Sequence, residues 1–447
     1  MESQLLASFA APGCMENIQS HGWRSLTRGP FGALPFCISS SLEMKLLLTF
    51  MPPVTDTGAF IGIGLGCIVT YIDLEGAPLA KFCDVPYWED SFSTLDSSKW
   101  TREVQLDGFG TGSFDWTTTD SENAYVDEAG LHIVPTLTTE STNITAAQLL
   151  NGYRLNLTDT AGDGSCTAAE GSNITTACSI ASNATEGMII NPVRSARLTT
   201  IESLRMKYGK IEVKAKLPAG SWLWPAIWMM PVNNVYGTWP QSGEIDIMES
   251  RGNDPNTYPE GRDTISSTIH WGPNSLLDGY WRKGGPAHLW RSDFSQGFHT
   301  FSIEWTPKYI FTYFDNKLLS TMYTRFGSKY GDMWQQGDFA GTYVNGSTVI
   351  NPWSGAAVNA PFDQEFYLIL NVAVGGTNGY WPDDKCYTDA ESGQTFCAGD
   401  KPWRNENRST AMLDFWRAKD EWLPTWGADD SRGMTVKSVK AFKYSGC

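Results

Sequence analysis

The segment Trp239–Ser250, WPQSGEIDIMES, combines the pattern of a buried strand with three acidic residues. Glu244 and Asp246 are two residues apart, so their side chains share one face of a strand, whereas the five-residue step to Glu249 would turn the third carboxylate to the opposite face. A β-bulge at Ile247-Met248 would add one residue and reset this parity. The spacing therefore predicts a bulged strand with all three carboxylates on one side.

The segments around this strand predict further strands, separated by turns. One helix is expected at Ser409–Pro424, with Ser409 as its N-cap and Pro424 as its end. Many strands with a single short helix indicate an antiparallel β-sandwich. The clearest strand segments are Gly209–Gly220, Phe298–Leu319 (a strand, a proline turn and a second strand, with a further turn at Asp315-Asn316), Phe366–Gly376 and Met434–Tyr444.

Composition limits the classes of partner. The chain has 447 residues, a formal net charge of −16 and a pI of about 4.8. A nucleic-acid-binding protein needs a basic face, so this charge argues against nucleic acid as a partner. The 19 tryptophans are enough to supply both a large core and exposed platforms on which sugar rings could stack.

Cysteines and sequons favour an oxidising secretory route. Cys166 and Cys178, like Cys386 and Cys397, bracket a short polar loop that suits a local disulfide, and Cys83 and Cys447 bracket nearly the whole folded part. Cysteines 14, 37 and 67 are left without an assigned partner. N-glycosylation is predicted at six sequons: Asn143, Asn156, Asn173, Asn183, Asn345 and Asn407.

The chain divides into an N-terminal part and one sandwich domain. Residues 1–43 show no clear period and are expected to be poorly ordered, and residues 44–80 form a hydrophobic segment. Its uncharged run, 57–72, is shorter than the roughly 20 residues of a membrane-spanning helix. A signal or signal-anchor is favoured over a buried strand, disorder or a misplaced start. Residues 83–447 are predicted to be the sandwich, with a glycosylated insertion at about 136–186.

Three acids on one face repel one another unless a ligand or a shared proton uses them. Double-displacement glycoside hydrolysis uses such a set: an ionised carboxylate attacks the anomeric carbon, and a protonated one, about 5–5.5 Å away, donates to the leaving oxygen. The alternatives are a solvated strand face and a metal site. Tryptophans on both sides of the acids argue against the first, and Ca²⁺ would need about six oxygen ligands that the nearby sequence does not supply.

The motif SGEIDIMESRGN resembles the bulged ExDxxE signature of glycoside hydrolase family 16, in its laminarinase-type endo-β-1,3-glucanases. Segments such as STIHWGP and FYLILNVAVGGTNGYWPD follow in the family order, and the resemblance extends from Cys83 to Tyr444. The sequence is similar to fungal members and to animal β-glucan-recognition proteins. The resemblance implies a concanavalin A-like β-jelly-roll of two antiparallel sheets with a concave active-site cleft.

Carried onto this sequence, the family pattern makes Glu244 the nucleophile and Glu249 the general acid/base. Asp246 would assist the nucleophile by hydrogen bonding to it. Substrate contacts are expected from residues around the acids: Trp228, Trp239, His270, Trp271, Trp224 and Arg251. Each has a structural alternative, as a core tryptophan, a structural histidine or a loop arginine. Trp222 and Trp224 would share a face if extended, Glu304 is expected to be structural, and Asn371 could line the cleft floor.

The sequence thus predicts a retaining endo-hydrolase of β-1,3-glucan or mixed β-glucan. Two alternatives stay open: a glucan-recognition protein without catalysis, and a membrane-anchored transglycosylase that assembles cell-wall glucan. We expect a monomer whose partner is a β-glucan polysaccharide, with no nucleic acid, no required cofactor and no catalytic metal; a structural Ca²⁺ is not evident. The expected location is extracellular or in the cell wall, either secreted or anchored through residues 57–72.

Overall fold

The structure, a computed structural model, describes residues 80–158, 162–168, 173–383, 401–427 and 430–447, and the backbone of 386–388 and 395–397. The predicted N-terminal extension, nearly all of the hydrophobic segment and cysteines 14, 37 and 67 lie outside the described residues. Among those that are described, every helix falls short of the length and hydrophobicity that a bilayer span requires.

Strands dominate the described chain. In chain order they are β1 (Trp88–Asp90), β2 (Thr101–Glu103), β3 (Asp115–Thr117), β4 (Ala124–Asp127), β5 (Gly130–Ile133), β6 (Thr136–Leu137), β7 (Asn151–Asn156), β8 (Ser179–Asn183), β9 (Val193–Ser195), β10 (Arg197–Thr199), β11 (Arg205–Met206), β12 (Gly209–Lys216), β13 (Leu223–Pro231), β14 (Glu244–Ser250), β15 (Thr264–His270), β16 (Gly284–His288), β17 (His299–Trp305), β18 (Tyr309–Phe314), β19 (Ser320–Arg325), β20 (Tyr343–Val344), β21 (Ser347–Thr348), β22 (Phe366–Val374), β23 (Cys386–Thr388), β24 (Thr395–Cys397) and β25 (Met434–Phe442).

Helices are short and lie between strands. The α-helices are α1 (Thr138–Ser141), α2 (Ala146–Leu150), α3 (Ile174–Cys178), α4 (Met333–Gln336), α5 (Ala411–Arg417) and α6 (Lys419–Trp422). Single 3₁₀ turns occur at Gly108–Gly110, Ala184–Glu186, Ser275–Leu277, Tyr280–Arg282, Leu423–Thr425 and Asp430–Arg432.

Two eight-stranded antiparallel sheets form the body of the domain. The outer sheet has the strand order β19-β18-β17-β12-β25-β5-β4, and β1 also pairs with β25. The site sheet has the order β16-β15-β14-β13-β22-β10-β2, and β11 also pairs with β22. Most neighbours are not consecutive in sequence, so the chain crosses repeatedly between the two sheets.

One hydrophobic core joins the inner faces of these sheets. On β12, Ile211, Val213 and Ala215 are buried while the residues between them are half-buried or exposed, as expected for a strand with one covered face. Strand β22 is buried at all positions except Asn371, which matches its nearly continuous apolar sequence. The core therefore fixes which face of each strand is left for solvent or ligand.

The strand predictions are confirmed, and one detail of the helix is wrong. Strands β12, β17, β18, β22 and β25 occupy the predicted segments. The predicted helix is present as α5 and α6, but it begins at Ala411 with Thr410, not Ser409, at the N-cap position. The Thr410 hydroxyl donates to the Asp414 carboxylate at 3.0 Å, one turn further on.

The predicted insertion contains its own elements. Strands β7 and β8 form a hairpin, and α2 begins with a capping box in which Thr145 and Gln148 each accept from the other's backbone N–H. Leu149 and Leu157 are fully buried in the main core. The insertion is therefore packed against the rest of the domain through these leucines and is not an irregular surface loop.

Two of the three predicted disulfides are present. Cys83 is bonded to Cys447 across 364 positions, and Cys166 is bonded to Cys178. The first ties together the two ends of the described domain and so limits the entropy of its unfolded chain. Strands β23 and β24 pair Cys386 opposite Cys397 in register, and their disulfide stays a prediction because their side chains are not described.

Candidate active site

Strand β14 contains the predicted bulge. Against β15, Asp246 is paired with Thr268 and Glu249 is paired with Ser266. The two acids are thus three residues apart on β14, whereas their partners on β15 are only two residues apart. The two residues between the acids, Ile247 and Met248, are buried. The extra residue resets the alternation of side chains, and the expected bulge is confirmed.

Glu244 begins β14 at the mouth of the site. Its Oε2 accepts a 2.8 Å hydrogen bond from the indole N–H of Trp239, and its Oε1 lies 3.8 Å from His270 Nε2. Trp239 is 40% exposed. A partly exposed indole that is fixed to a carboxylate suits contact with a sugar at that carboxylate.

Glu249 lies at the other end of the acidic row. The indole N–H of Trp224 donates to its Oε1 at 2.9 Å. Trp224 also stacks on Tyr380, with ring centroids 3.9 Å apart and planes 4° from parallel. Arg251 lies over the same tyrosine ring, 4.3 Å from its centroid, and donates to the Tyr380 carbonyl. This stack fixes the position from which Glu249 meets a ligand.

His270, on β15, connects the acids to a fourth carboxylate. Its Nε2 lies 3.3 Å from Asp246 Oδ2, and its Nδ1 lies 2.5 Å from Asp278 Oδ2. Burial by itself would lower the pKa of His270, but the charges of Glu244, Asp246 and Asp278 outweigh it and raise that pKa well above its usual value. These contacts favour the protonated, positively charged form of the ring, an imidazolium.

All three acids hold protons more tightly than exposed carboxyls do. Burial, followed by the charge of Asp246, raises the pKa of Glu244. Burial and the charge of Glu249 raise the pKa of Asp246, and burial raises that of Glu249. Because these groups interact strongly, their protons belong to the set and not to single residues. Such a cluster can hold a proton donor and an ionised carboxylate side by side.

A metal is the alternative use of this cluster. Glu244, Asp246 and His270 each offer a ligand atom, and these atoms lie within 4.8 Å of one another. An imidazolium has no free lone pair for a metal, and both nitrogens of His270 already face carboxylates. The contacts therefore favour proton chemistry at this site.

Trp228 lies beside the acids, as predicted. It is paired with Asp246 across β13 and β14, so the two side chains share a face. Its indole N–H donates to Asn371 Oδ1 at 2.7 Å, and the Arg197 guanidinium lies 4.7 Å from its ring centroid. Asn371 thus belongs to the same face of the sheet.

Two tryptophan predictions are wrong. Trp271 is 0% exposed and donates to the Met333 carbonyl, because the alternation of β15 turns it away from His270 and into the core. It cannot contact a substrate. Trp222 does not share a face with Trp224: its φ of 70° places it in a turn before β13, and it packs edge-on against Trp381 and other core rings.

Arg251 does not pair with a member of the acid triad. Its Nη1 lies 3.6 Å from Glu260, while its main hydrogen bond goes to the Tyr380 carbonyl. Its charge still lowers the pKa of Glu249 somewhat against the larger effect of burial. Glu304, on the outer sheet, is fully buried and bonded to Tyr309, so it is structural as expected.

Sequence reasoning missed three contributors: Tyr380, Asp278 and Arg197. Tyr380 and Asp278 lie in loops, and Arg197 lies on β10 beside the ring of Trp228. Tyr380 follows a glycine-rich turn and Asp278 sits between two 3₁₀ turns, so neither belongs to a periodic pattern. Their only sequence signal is an aromatic or acidic residue in a loop after a site strand.

A two-sheet sandwich that presents paired, proton-holding carboxylates among indole rings is the architecture of a glycoside hydrolase. Comparison with known proteins agrees. The sequence profile described as glycosyl hydrolases family 16 matches residues 165–356. A protein of Penaeus monodon named beta-1,3-glucan-binding protein is 39% identical over 362 residues, which are 80% of this chain and 89% of that protein. The chain belongs to glycosyl hydrolase family 16, and its fold is the family's jelly-roll sandwich.

Other relatives match over shorter parts. The glucan endo-1,3-beta-glucosidase of Cryptopygus antarcticus is 36% identical over 46% of this chain and 66% of its own length. The glucan endo-1,3-beta-glucosidase A1 of Niallia circulans is 30% identical over 65% of this chain, which spans only 33% of that protein. The laminarinase structure from Rhodothermus marinus aligns with 82% of this chain and all of its own, at 22% identity and a TM-score of 0.46. The predicted likeness to fungal members stays a prediction.

Proposed function

We propose that this chain is a retaining, endo-acting hydrolase of β-1,3-glucan or mixed β-glucan. One observation carries the proposal: the bulge in β14 sets Glu244, Asp246 and Glu249 on one face. An indole N–H fixes each glutamate, and an imidazolium lies beside the first two acids. A glycan-recognition surface needs rings and hydrogen bonds, but it has no use for three mutually repelling acids, of which Asp246 is buried and the two glutamates are half-buried.

The chemistry follows from these positions. Glu244 attacks the anomeric carbon while Glu249 gives its proton to the departing glycosidic oxygen, so one C–O bond forms as another breaks. Water then gives a proton to Glu249 and its oxygen to the anomeric carbon, which releases Glu244. His270 stabilises the charge on Glu244, and Asp246, between the two glutamates, favours a proton on one of its neighbours.

The choice of substrate rests on the relatives. Proteins named for β-1,3-glucan binding or for endo-1,3-β-glucosidase activity match this chain. Half-exposed rings beside the acids, Trp239 and Trp228, offer flat faces to pyranose rings. Glu249 lines an open groove on the face of the sheet, and an open groove suits internal cleavage of a polymer.

We further propose that the protein acts outside the cell or in the cell wall, as a monomer. The two disulfides support an oxidising environment. None of the six sequon asparagines, all of which are described, is buried, so each could accept a glycan. Anchoring through residues 57–72 stays a prediction.

The test is the release of reducing ends from laminarin by wild type and by Glu244→Gln. Gln keeps the size and accepts the Trp239 hydrogen bond but cannot attack, so we expect turnover to fall by at least about 10³-fold. The matched control is Glu202→Gln, at an exposed glutamate outside the site. Equal activity in wild type and Glu244→Gln would refute the assignment of the nucleophile.

A second function, glucan recognition without turnover, is favoured by the name of the Penaeus monodon relative. It predicts that wild type binds laminarin but releases no reducing ends at any pH from 4 to 9. The third hypothesis, a wall-building transglycosylase, would use the same covalent intermediate. It predicts longer products from defined oligosaccharides.

A further inference from the structure

The loop that carries Tyr380 follows β22, and we call its residues, 375–383, the tyrosine loop. Gly379, immediately before the tyrosine, is exposed and has a φ of 99°, in the region that favours glycine. A glycine there restrains the backbone little, yet Tyr380 is stacked on Trp224, which donates to Glu249. Contacts with other segments therefore have to hold the tyrosine in place.

A second segment holds both ends of the tyrosine loop. It comprises residues 401–405, KPWRN, and we call it the clamp. The indole N–H of Trp403 donates to the Gly376 carbonyl at 2.8 Å, near the start of the loop. Near its end, the Trp381 carbonyl accepts from Lys401 Nζ at 2.9 Å. The tyrosine lies between these two anchored carbonyls.

Lys401 is the buried cation of the clamp. A lysine ammonium has three donors and no acceptor. Besides the Trp381 carbonyl, Lys401 Nζ meets Asn405 Oδ1 at 2.9 Å. It also forms an ion pair with Asp383, whose carboxylate accepts from the Asn405 backbone N–H at 3.1 Å. Only 2% of the Lys401 side chain is exposed, so these partners compensate for the hydration that its charge has lost.

The Tyr380 ring lies at the groove that Glu249 lines, and it covers one face of the Trp224 indole. Trp224 belongs to β13, which is paired with β22, so the sheet holds its position. The tyrosine instead depends on its loop and on Arg251, which donates to its carbonyl. Displacement of the ring would therefore open the Glu249 carboxyl to solvent without moving the indole.

We propose that Lys401 is a positioning residue for the proton donor: through the clamp it holds the tyrosine ring against Trp224 and so shields Glu249 from water. Lys401 touches no reacting atom, and its effect reaches the acid through the tyrosine loop. The proposal rests on the proposed hydrolase function, in which Glu249 protonates the leaving oxygen.

This role fixes the direction of a pH effect. Burial is the largest cause of the raised pKa of Glu249. A loosened loop reduces that burial, so this pKa falls and the acid loses its proton at lower pH. The other titratable groups that the described residues place against Glu249 belong neither to the loop nor to the clamp: Glu244, Asp246, His270 and Arg251.

The test is the substitution Lys401→Met, which keeps an unbranched side chain and removes its charge. Asp383 is 23% exposed and keeps its hydrogen bond from Asn405, so the carboxylate left behind is still solvated. We expect the basic limb of kcat/KM on laminarin to move to lower pH, with no more than about a twofold loss at acidic pH. The backbone amides of the tyrosine loop should exchange hydrogen about tenfold faster.

The matched control is Lys210→Met, because Lys210 also pairs with a carboxylate, that of Glu212 at 2.7 Å, but lies on β12 of the outer sheet. It should change neither measurement. A uniform loss of activity at every pH, or an unmoved basic limb, would overturn the proposal. If Lys401→Met does not fold, Asn405→Ala, which leaves the ammonium and the Asp383 carboxylate paired, should move the limb in the same direction. An unmoved limb in that variant would have the same consequence.

If wild type did not cleave laminarin, the hydrolase proposal would fail, and a titration would still test the positioning. In protein with isotope-labelled glutamate, carboxyl NMR identifies Glu249 by the signal that Glu249→Gln removes. The midpoint of that signal should lie at lower pH in Lys401→Met than in wild type and in Lys210→Met. Equal midpoints would show that Lys401 does not position the tyrosine over the acid.

Discussion

Glu304 on the outer sheet and the three acids on the site sheet are all carboxylates in a β-sandwich, but their surroundings differ. Glu304 is fully buried, accepts from the Tyr309 hydroxyl and forms an ion pair with Lys317. On the site sheet the only cation near the three carboxylates, among the described residues in contact with them, is His270, and His270 also contacts a fourth carboxylate, Asp278.

The difference separates a structural acid from the candidate catalytic ones. A buried carboxylate with its own cation and a hydrogen bond has partners that compensate for its lost hydration. Acids that outnumber their cations raise one another's pKa values and keep protons that can be transferred. The candidate site therefore differs from the surroundings of Glu304 in having more carboxylates than cations within contact distance.

The largest expected effect is on turnover. Glu249→Gln removes the proton donor and should lower kcat on laminarin by about 10²–10⁴-fold. Glu304→Gln should leave kcat unchanged, since its side chain lies on the other sheet, on the face turned away from the core residues Ile303 and Trp305. Initial rates of reducing-end release would measure both effects. Comparable losses in the two variants would contradict the conclusion that Glu249 is catalytic and Glu304 is structural.

For stability we expect the reverse: substitution of the site acid should not destabilise the protein, whereas substitution of Glu304 should. Burial, followed by the charge of Asp246, raises the pKa of Glu244 above its ordinary value, so the contribution of this group to stability is fully present at low pH and is lost as the pH rises through the raised pKa. Glu244→Gln should therefore be more stable than wild type at pH 8, by about 1–3 kcal/mol, and similar to it at pH 4. Thermal unfolding at the two pH values would measure this.

Glu304→Gln should instead lower the free energy of unfolding, by about 1 kcal/mol, because it removes the charge of a buried carboxylate that accepts from Tyr309 and pairs with the partly exposed Lys317. The loss should be present at pH 7 by chemical denaturation. A variant that is as stable as wild type would show that Lys317 and Tyr309 contribute nothing to holding that acid.

A smaller effect is expected from Asp278→Asn. The substitution removes the charge facing His270 Nδ1, so the pKa of His270 should fall and its positive charge should be lost as the pH rises. Activity should drop about tenfold near neutrality and less at acidic pH. The pH profile of kcat/KM and the imidazole NMR signals would report this; Asp278→Glu should restore part of it. An unchanged profile would show that Asp278 only supports its loop.

The smallest effect is expected from Trp224→Phe, which keeps a ring on Tyr380 but removes the N–H donor to Glu249. That donor lowers the pKa of Glu249, so its loss should raise this pKa and let the acid stay protonated at higher pH. The basic limb of the activity profile should move upward while the maximal rate changes only a few-fold. A downward shift would contradict the inferred contact.

Periodicity along single strands was a sound guide to the fold. The bulge at Ile247-Met248 and strands β12, β17, β18, β22 and β25 follow from side-chain alternation, which depends only on neighbours in sequence. The same rule, applied to His270 and Trp271, shows why both could not face the cleft. The prediction for Trp271 was wrong because it followed the family motif and not the alternation of side chains along β15.

The sequence by itself determined the sandwich and the parity of the acids, because local alternation encodes them; the bonds between Cys83 and Cys447 and between Cys166 and Cys178 suited the sequence but were decided by the structure. Only the tertiary structure decided which groups surround those acids. Tyr380 meets Trp224, and Asp278 meets His270, through loops that bring distant or aperiodic positions together. The charge balance around the acids is a property of that assembly, since it depends on distances between side chains from different strands and loops.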